Sequence, residues 1–173
     1  MSKPDLLQMG ALPEWDAVPL AQSYTTHRPY EAQDKAAFLA EVGPRIRGIS
    51  TRGDLGARTD ILASCPALEV ISIYGVGFDA VDLDTCRARG IKVANTPDVL
   101  TDDCADLALG MWLALSRGIV AAERHARSGA WKSGGFPLTH KASGKRAGIL
   151  GAGGSGRPWG GDWQGSLCRS DCL

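Results

Sequence analysis

Short apolar runs alternate with helical patterns over residues 1–97, and this alternation limits the possible folds more than any other feature. The runs lie at residues 6–9, 22–26, 46–50, 68–73 and 91–94. Strands that are joined by helical crossovers pair in parallel, so the pattern predicts a doubly wound α/β sheet. Ligands of such sheets bind beyond the carboxyl ends of the strands. We therefore expect the loops at 50–54 and 74–79 to form the functional edge.

The helical patterns differ in strength along the chain. Residues 13–20 form a poor pattern, residues 31–42 a better one and residues 59–64 a short helix. A further helix is expected between Asp82, as its N-cap, and Gly90 just past its end. The longest pattern covers residues 100–116, and another helix is expected at 119–128. The apolar stripe of the first of these is wide, which predicts burial on more than one side.

Charge and composition exclude several functions. The chain has 19 basic and 19 acidic residues, so it lacks the electrostatic footprint of a nucleic-acid or anionic-membrane protein. It contains no apolar segment of about 20 residues that could span a bilayer, and no signal-peptide pattern, so we expect a cytoplasmic location. The five cysteines lack a C-x-x-C pair, which favours buried free thiols over disulfides or a zinc site.

A glycine-rich segment follows directly after the apolar run at 146–150. Gly151, Gly153 and Gly156 match G-x-G-x-x-G, with Gly154 and Ser155 between them. Such glycines permit a tight turn, a close approach of a pyrophosphate to the backbone, and close packing of the following helix on the strand. The segment therefore predicts a dinucleotide phosphate site.

The tail at 158–173 lacks the helix that this site needs. Gly160, Gly161 and Gly165 each weaken a helix by up to about 1 kcal/mol relative to alanine, and no apolar stripe is present. The tail also shows no second strand, so no strand carries Asp171 toward a ribose. We expect a disordered tail and impaired dinucleotide binding.

Four separated motifs carry a resemblance to a known family. They are YGVGFD at 74–79, NTPDVLTDDCADLA at 95–108, RSGAW at 127–131 and SGKR at 143–146. In this order they resemble the D-isomer-specific 2-hydroxyacid dehydrogenases, in the branch of glyoxylate, hydroxypyruvate and hydroxyphenylpyruvate reductases. The likeness covers residues from about 1 to 157 and stops abruptly, as a reading-frame shift or a premature junction in the gene would cause.

The resemblance implies a domain organisation and an activity. It implies a flavodoxin-like substrate domain at 1–97, an incomplete Rossmann domain at 98–157 and a non-family tail at 158–173. The complete enzyme would be a homodimer that reduces a small 2-oxo acid to the D-2-hydroxy acid with NAD or NADP, and the branch slightly favours NADP. The present chain is expected to be an inactive fragment.

Substrate-side residues are carried over from the family motifs. The backbone N–H groups of Val76 and Gly77 would hold the substrate carboxylate, because consecutive amides in a turn form an anion-binding nest. Ser50, Thr51 and Arg52 would line the same pocket.

Cofactor-side and catalytic residues follow in the same way. Thr101 would lie near the nicotinamide, and the pyrophosphate would be met by Gly151, Gly153, Gly154, Ser155 and Gly156. The family's catalytic arginine, acid and histidine match no position here. We interpret the three histidines, His27, His125 and His140, as surface or loop residues.

Acidic residues form two patterns that have more than one interpretation. Asp102, Asp103 and Asp106 could bind magnesium diphosphate, but acids at a helix N-terminus explain them better. Asp79 and Asp82 could form an acid–base pair, although turn and cap roles suffice.

Two tryptophans and two cysteines could likewise bind a ligand or have a structural role. Trp112 and Trp131 could stack on a ring, but in this family a dimer contact is preferred. Cys168 and Cys172 could bind a metal, yet two thiols do not complete a zinc site.

Two other functions compete with the dehydrogenase. A non-catalytic module could bind small carboxylates or a partner subunit with the same domain. A methyltransferase could also use G-x-G-x-x-G, but this would leave the motifs around residues 74 and 95 unexplained.

Overall fold

The computed structural model describes residues 3–150 and 168–172, so the glycine segment at 151–156 lies outside the described residues. The chain divides into two compact units, Met1–Pro97 and Asp98–Leu173. The first unit contains β1 (Asp5–Gln8), α1 (Glu14–Ser23), β2 (Thr25–His27), α2 (Lys35–Val42), β3 (Ile46–Arg52), α3 (Thr59–Ser64), β4 (Val70–Tyr74), α4 (Leu83–Arg89) and β5 (Lys92–Ala94). The second contains α5 (Thr101–Ser116), α6 (Ile119–Arg127), β6 (Lys145–Ile149) and β7 (Cys168–Cys172).

The five strands of the first unit form one parallel sheet. Their order is β2-β1-β3-β4-β5, which is the flavodoxin-like order of a doubly wound fold. The predicted fold class is therefore confirmed. Parallel pairing brings the carboxyl ends of β1, β3 and β4 to the same edge.

The core of the first unit lies where alternate strand residues meet the helices. Ile71 and Ile73 of β4 are buried, whereas Val70 and Tyr74 of the same strand are exposed. The buried side chains form one hydrophobic cluster with residues of the neighbouring strands and helices, which include Leu7, Ile49, Leu39, Val42, Ile61 and Leu62. Burial of each large aliphatic side chain contributes roughly 1.5–3 kcal/mol, so this cluster dominates the stability of the unit.

Capping residues explain where two helices begin. The side chain of Asp34 accepts hydrogen bonds from the backbone N–H groups of Ala36 and Ala37, so α2 starts at Lys35 and not at residue 31 as predicted. Asp82 caps α4 and Gly90 follows it with a φ of 70°, which confirms both predicted ends.

The predicted strand at 22–26 is wrong in its first half. Residues 22 and 23 belong to α1, which continues past Pro19, and the strand covers Thr25–His27.

In the second unit, α5 has the predicted length but not the predicted environment. Ala105 is its buried residue, whereas Leu107, Met111 and Leu115 are exposed. The expectation of burial on more than one side is therefore wrong among the described residues, since Leu109, Trp112 and Leu113 are only half-buried and the rest of the stripe is exposed apart from Ala105 and Ala114.

A second parallel strand is present where the sequence analysis expected none. β7 pairs with β6 over five residue pairs, with Lys145 opposite Cys168 and Gly148 opposite Asp171. The expectation of a disordered tail is therefore wrong for Cys168–Cys172. Periodicity missed this strand because its polar sequence gains backbone hydrogen bonds from its neighbour and not from an apolar pattern.

Cys65 and Cys86 are buried, and burial raises the pKa of both thiols, but Cys104 is exposed, contrary to the expected burial.

Among the described residues, no single helix is long and apolar enough to cross a membrane. Only α5 and α6 taken together have that length and composition, and they are bent by 59°.

Candidate functional site

The two loops that the sequence places at the functional edge are in direct contact. β3 ends at Arg52 and β4 ends at Tyr74, and Gly53 faces the backbone of Gly77. A Cβ atom at position 53 would lie 2.7 Å from the carbonyl oxygen of Gly77, so only glycine permits this approach. The loops at 50–54 and 74–79 therefore form one continuous surface.

A second contact fixes the base of this surface. Gly56 has a φ of 62°, and a Cβ atom there would lie 1.9 Å from the carbonyl oxygen of Ala80. The N–H of Ala57 donates to the same oxygen at 3.1 Å. The buried hydroxyl of Thr51 donates to the carbonyl of Gly56 at 2.7 Å. Thr51 thus holds its own loop together.

The loop at 74–79 is also held from the β5 side. The N–H of Gly75 donates to Oγ1 of Thr96 at 3.2 Å, and the N–H of Thr96 donates to the carbonyl of Gly75 at 3.0 Å. Nδ2 of Asn95 donates to the carbonyl of Val76 at 2.8 Å. Sequence analysis did not single out Asn95 and Thr96 as site residues, although their position directly after β5, next to β4, is a usable signal.

Two consecutive N–H groups remain available in this loop. Among the described residues, none accepts a hydrogen bond from the backbone N–H of Val76 or Gly77. Both residues are exposed, Val76 to 49%. Adjacent free amides at the end of a strand can bind an anion, and a carboxylate oxygen is a suitable acceptor.

Arg52, which pairs with Tyr74 at the end of the sheet, shares its charge with Asp54. Its Nε and terminal nitrogen donate to the two carboxylate oxygens of Asp54 at 3.0 and 2.7 Å. The hydrogen bonds to Asp54 raise the pKa of Arg52, and the same pair holds the pKa of Asp54 below its usual range. The pair adds little net positive charge to the loop.

Ser50 occupies a different environment from the loop residues. It lines a cavity of about 430 Å³ on the sheet, together with Leu6, Gly48, Val70 and Ser72. Neither Val76 nor Gly77 lines this cavity.

Tyr74, which ends β4, connects the loop to α1. Its hydroxyl donates to Oδ2 of Asp16 at 3.1 Å, and this hydrogen bond raises the pKa of Tyr74. Gln8, buried at the end of β1, donates through Nε2 to the carbonyl of Gly10 and to the hydroxyl oxygen of Tyr30. Sequence analysis identified none of these contacts, and the two that join Tyr74 to Asp16 and Gln8 to Tyr30 depend on the tertiary fold.

The histidines are not all surface or loop residues. His27 ends β2 with a side chain only 12% exposed, and its Nε2 lies 2.6 Å from Oδ1 of Asp5. His125 lies in α6 and donates to the carbonyl of Gly134, whereas His140 is exposed in a loop. The prediction is therefore wrong for the strand residue His27, which pairs with a carboxylate, whereas His125 and His140 lie at the surface.

Three acidic residues of the two sequence patterns lie at the start of helices. Asp102 and Asp103 lie in the first turn of α5. Asp82 accepts hydrogen bonds from the N–H and hydroxyl of Thr85 and from the hydroxyl of Thr59, which lower its pKa. The described residues contain no group of three or more His, Cys, Asp or Glu that could hold a metal ion.

In the second unit, Thr101 begins α5. The residues predicted to meet a pyrophosphate, Gly151, Gly153, Gly154, Ser155 and Gly156, lie outside the described residues. The strands on either side of them, β6 and β7, pair in parallel. Two parallel strands flanking a glycine segment fit the first half of a dinucleotide-binding unit.

Fold and site together define an α/β enzyme-like domain with a candidate carboxylate site beyond β4, followed by the start of a nucleotide-binding unit. Residues 11–155 match the family model described as "D-isomer specific 2-hydroxyacid dehydrogenase, catalytic domain". The chain belongs to this family.

Individual relatives agree with this assignment. Hydroxyphenylpyruvate reductase from Plectranthus scutellarioides is 48% identical over 116 residues, which are 67% of this chain and 37% of the relative. The structure of a 2-hydroxyacid dehydrogenase from Ketogulonicigenium vulgare Y25 has a TM-score of 0.95 and 53% identity, and the match covers 99% of this chain and 54% of that one.

A third relative was solved with ligands. It is the NADPH-dependent glyoxylate/hydroxypyruvate reductase from Sinorhizobium meliloti in complex with NADP and malonate, with a TM-score of 0.80 and 30% identity over 98% of this chain and 53% of that one. The chain thus spans about half the length, or less, of these relatives.

Proposed function

We propose that the complete protein reduces a small 2-oxo acid of the glyoxylate or hydroxypyruvate type to the D-2-hydroxy acid. The observation that carries this proposal is the pair of free backbone N–H groups at Val76 and Gly77, at the carboxyl edge of the sheet. The names of the relatives support the substrate class, and the malonate of one relative is a small carboxylate.

Within this proposal the chain supplies the substrate-binding side. The N–H groups of Val76 and Gly77 donate to the substrate carboxylate. Hydrogen bonds keep the adjoining loop in place. Arg52 donates to the carboxylate of Asp54, and the hydroxyl of Thr51 donates to the carbonyl of Gly56. Ser50 lies on β3, two residues before the strand ends at Arg52, and would line the substrate pocket from there.

The proposed cofactor is NADP, with NAD as the alternative. The relative from Sinorhizobium meliloti is NADPH-dependent, which supports NADP. Thr101 would lie near the nicotinamide and the segment 151–156 would meet the pyrophosphate, while β6 and β7 would support that segment on both sides. A bound reduced nicotinamide supplies the hydride.

We further propose that the 173-residue chain binds the carboxylate without turnover. A general acid must lie within hydrogen-bond reach of the proton acceptor. His27 is the histidine of the first unit, and its Nε2 is engaged by Asp5. The same chain could alternatively serve as a non-catalytic carboxylate-binding or subunit-interaction module, and one titration tests both ideas.

The test is a titration of the chain with hydroxypyruvate, followed by the NMR signals of the Val76 and Gly77 amides. Hydroxyacetone, which lacks the carboxylate, is the matched ligand control. Gly77→Pro removes one donor and should abolish most of the response. Gly77→Ala keeps the N–H, and its Cβ meets no atom within 4 Å, so it should bind as the unchanged chain does.

Three outcomes separate the proposals. Absence of any carboxylate-dependent response at these amides would contradict the substrate site. Oxidation of NADPH by hydroxypyruvate with this chain alone would contradict the lack of turnover. Carboxylate binding without turnover, by this chain and also by a complete relative, would favour the non-catalytic module.

We also propose that the complete protein is a homodimer that buries the apolar face of α5 and α6. Leu107, Met111, Leu115, Ile119 and Val120 are exposed on these helices. Exposed apolar side chains in this number typically mark a protein interface. Sedimentation of the complete protein should give twice the monomer mass, and Leu115→Asp should shift it toward the monomer. A monomer at all concentrations would contradict the proposal.

A further inference from the structure

We propose that Asn95 and Thr96 are positioning residues that aim the two free N–H groups of the loop at the substrate carboxylate. The inference deepens the proposed function and rests on it. It concerns residues that touch no reacting atom and act only through the peptide planes of Gly75, Val76 and Gly77.

The argument starts from the geometry of a peptide bond. Each peptide unit is planar, and in a trans unit the carbonyl oxygen and the following N–H point in opposite directions. The described peptide bonds are trans. A hydrogen bond that fixes one carbonyl therefore also fixes the direction of the next N–H.

The first plane contains the carbonyl of Gly75 and the N–H of Val76. Its carbonyl accepts the N–H of Thr96 at 3.0 Å. Oγ1 of Thr96 in turn accepts the N–H of Gly75 at 3.2 Å, so Thr96 holds both backbone groups of that glycine. Gly75 has a φ of 137°, which glycine adopts readily and other residues rarely do, so glycine permits the arrangement that these two hydrogen bonds hold.

The second plane contains the carbonyl of Val76 and the N–H of Gly77. Nδ2 of Asn95 donates to that carbonyl at 2.8 Å. Because the carbonyl is held, the N–H of Gly77 is fixed in the opposite direction within the same peptide plane. Each of the two free donors thus has its direction set by a hydrogen bond from one of two adjacent residues after β5.

Pre-aimed donors increase affinity because binding then costs less reorganisation. Without the contact from Asn95 or Thr96, the loop would have to order its peptide planes when the anion binds. A net hydrogen bond of about 0.5–1.5 kcal/mol corresponds to a roughly 2- to 12-fold loss of carboxylate affinity.

The experiment uses the 173-residue chain and four variants. Asn95→Ala removes the side-chain donor, and Thr96→Val removes Oγ1 while keeping the shape of the side chain. Thr96→Ser restores the hydroxyl and should rescue. Thr59→Val is the matched control, because the exposed hydroxyl of Thr59 also makes a hydrogen bond to a residue distant in sequence, in which it donates to Asp82. Among the described residues, Thr59 makes no hydrogen bond to the 74–77 loop.

Two readouts distinguish a positioning role from a merely structural one. The first is the affinity for hydroxypyruvate. The second is the orientation of the Val76 and Gly77 N–H vectors, measured by residual dipolar couplings without any ligand. We expect Asn95→Ala to reorient the Gly77 vector with about a 2- to 12-fold weaker affinity. Thr96→Val removes the acceptor of the Gly75 N–H but keeps the backbone N–H of Thr96 on the carbonyl of Gly75, so it should reorient the Gly75 N–H vector, change the Val76 vector less and weaken affinity less than Asn95→Ala does. Couplings at Ile71 and Ile73 should stay unchanged.

The outcomes separate the two proposals. If the unchanged chain does not bind hydroxypyruvate but the variants reorient the N–H vectors, the proposed function fails and the positioning role stands. If the unchanged chain binds and neither variant alters affinity or N–H orientation, the positioning role is overturned. It is also overturned if Thr59→Val has the same effects as Thr96→Val.

Discussion

The two units of the chain contain similar kinds of elements but bury them differently. In Met1–Pro97, strands and helices share one hydrophobic cluster that includes Leu7, Ile49 and Ile71. In the described part of Asp98–Leu173, the buried hydrophobic residues are Ala105, Ala142 and Ile149. An apolar pattern thus predicts a helix reliably, but its burial depends on a surface that another element or chain must provide.

The largest expected effect compares one core residue with one exposed residue. Ile71→Ala should lower the free energy of unfolding of the first unit by about 2–5 kcal/mol, because it leaves a cavity among side chains that cannot fully collapse. Leu115→Ala in α5, where the side chain is 83% exposed, should change stability by less than about 0.5 kcal/mol. Urea titrations followed by amide NMR signals of each unit measure both values. Equal effects would contradict the contrast between the units.

Glycine substitutions should have opposite signs in the two units. Gly56→Ala places a Cβ atom 1.9 Å from the carbonyl oxygen of Ala80 at a positive φ, and should cost about 2–4 kcal/mol. Gly110→Ala lies within α5 and meets no atom within 4 Å, so it should stabilise that helix by roughly 0.5–1 kcal/mol. The same titrations apply. A stabilised Gly56→Ala chain would show that the loop contact is not tight.

Helix capping provides a smaller comparison. The carboxylate of Asp34 accepts two backbone N–H groups at the start of α2, whereas α5 begins without a side-chain cap. Asp34→Ala should therefore cost about 1 kcal/mol in the first unit. Asp60→Ala is the matched control, because Asp60 lies in the first turn of α3 without capping it. A loss as large for the control would remove capping as the cause.

The smallest expected effect is a pH dependence of the first unit. Hydrogen bonds from His27 and then from Arg45 hold the pKa of Asp5 below its usual range. A carboxyl group whose folded pKa is lowered adds stability that is present above the unfolded pKa and is lost as the pH falls through the folded pKa. Asp5→Asn should therefore flatten the acid limb of the stability curve, by less than about 1 kcal/mol. Glu41→Gln, an exposed acid without an ion pair among the described residues, should leave that limb unchanged. An unaltered curve for Asp5→Asn would contradict the pairing.

Sequence patterns predicted the elements of the fold better than their contacts. The helix at 59–64 and the ends of α4 agree with the structure because capping and periodicity act over a few residues. Pairing between β6 and β7 was not predicted, because a strand with a polar sequence is recognised only by its neighbour.

Part of the candidate site was likewise predicted from the sequence and part was not. The sequence predicted that the loops after β3 and β4 share an edge, and Gly53 does face Gly77. It did not predict Asn95 and Thr96 as the residues that hold the loop, or the pairing of His27 with Asp5. These contacts join residues about 20 positions apart, and strand register alone brings them together.

By itself, the sequence determined the parallel α/β class of the first unit, the edge at which its loops meet and the family to which the chain belongs. Those properties follow from apolar period, glycine position and motif order, which are local features of the chain. Tertiary structure decided which donors stay free for a ligand. The direction of the Val76 and Gly77 N–H groups depends on carbonyls held from beyond β5, and a peptide plane cannot be oriented by its own sequence.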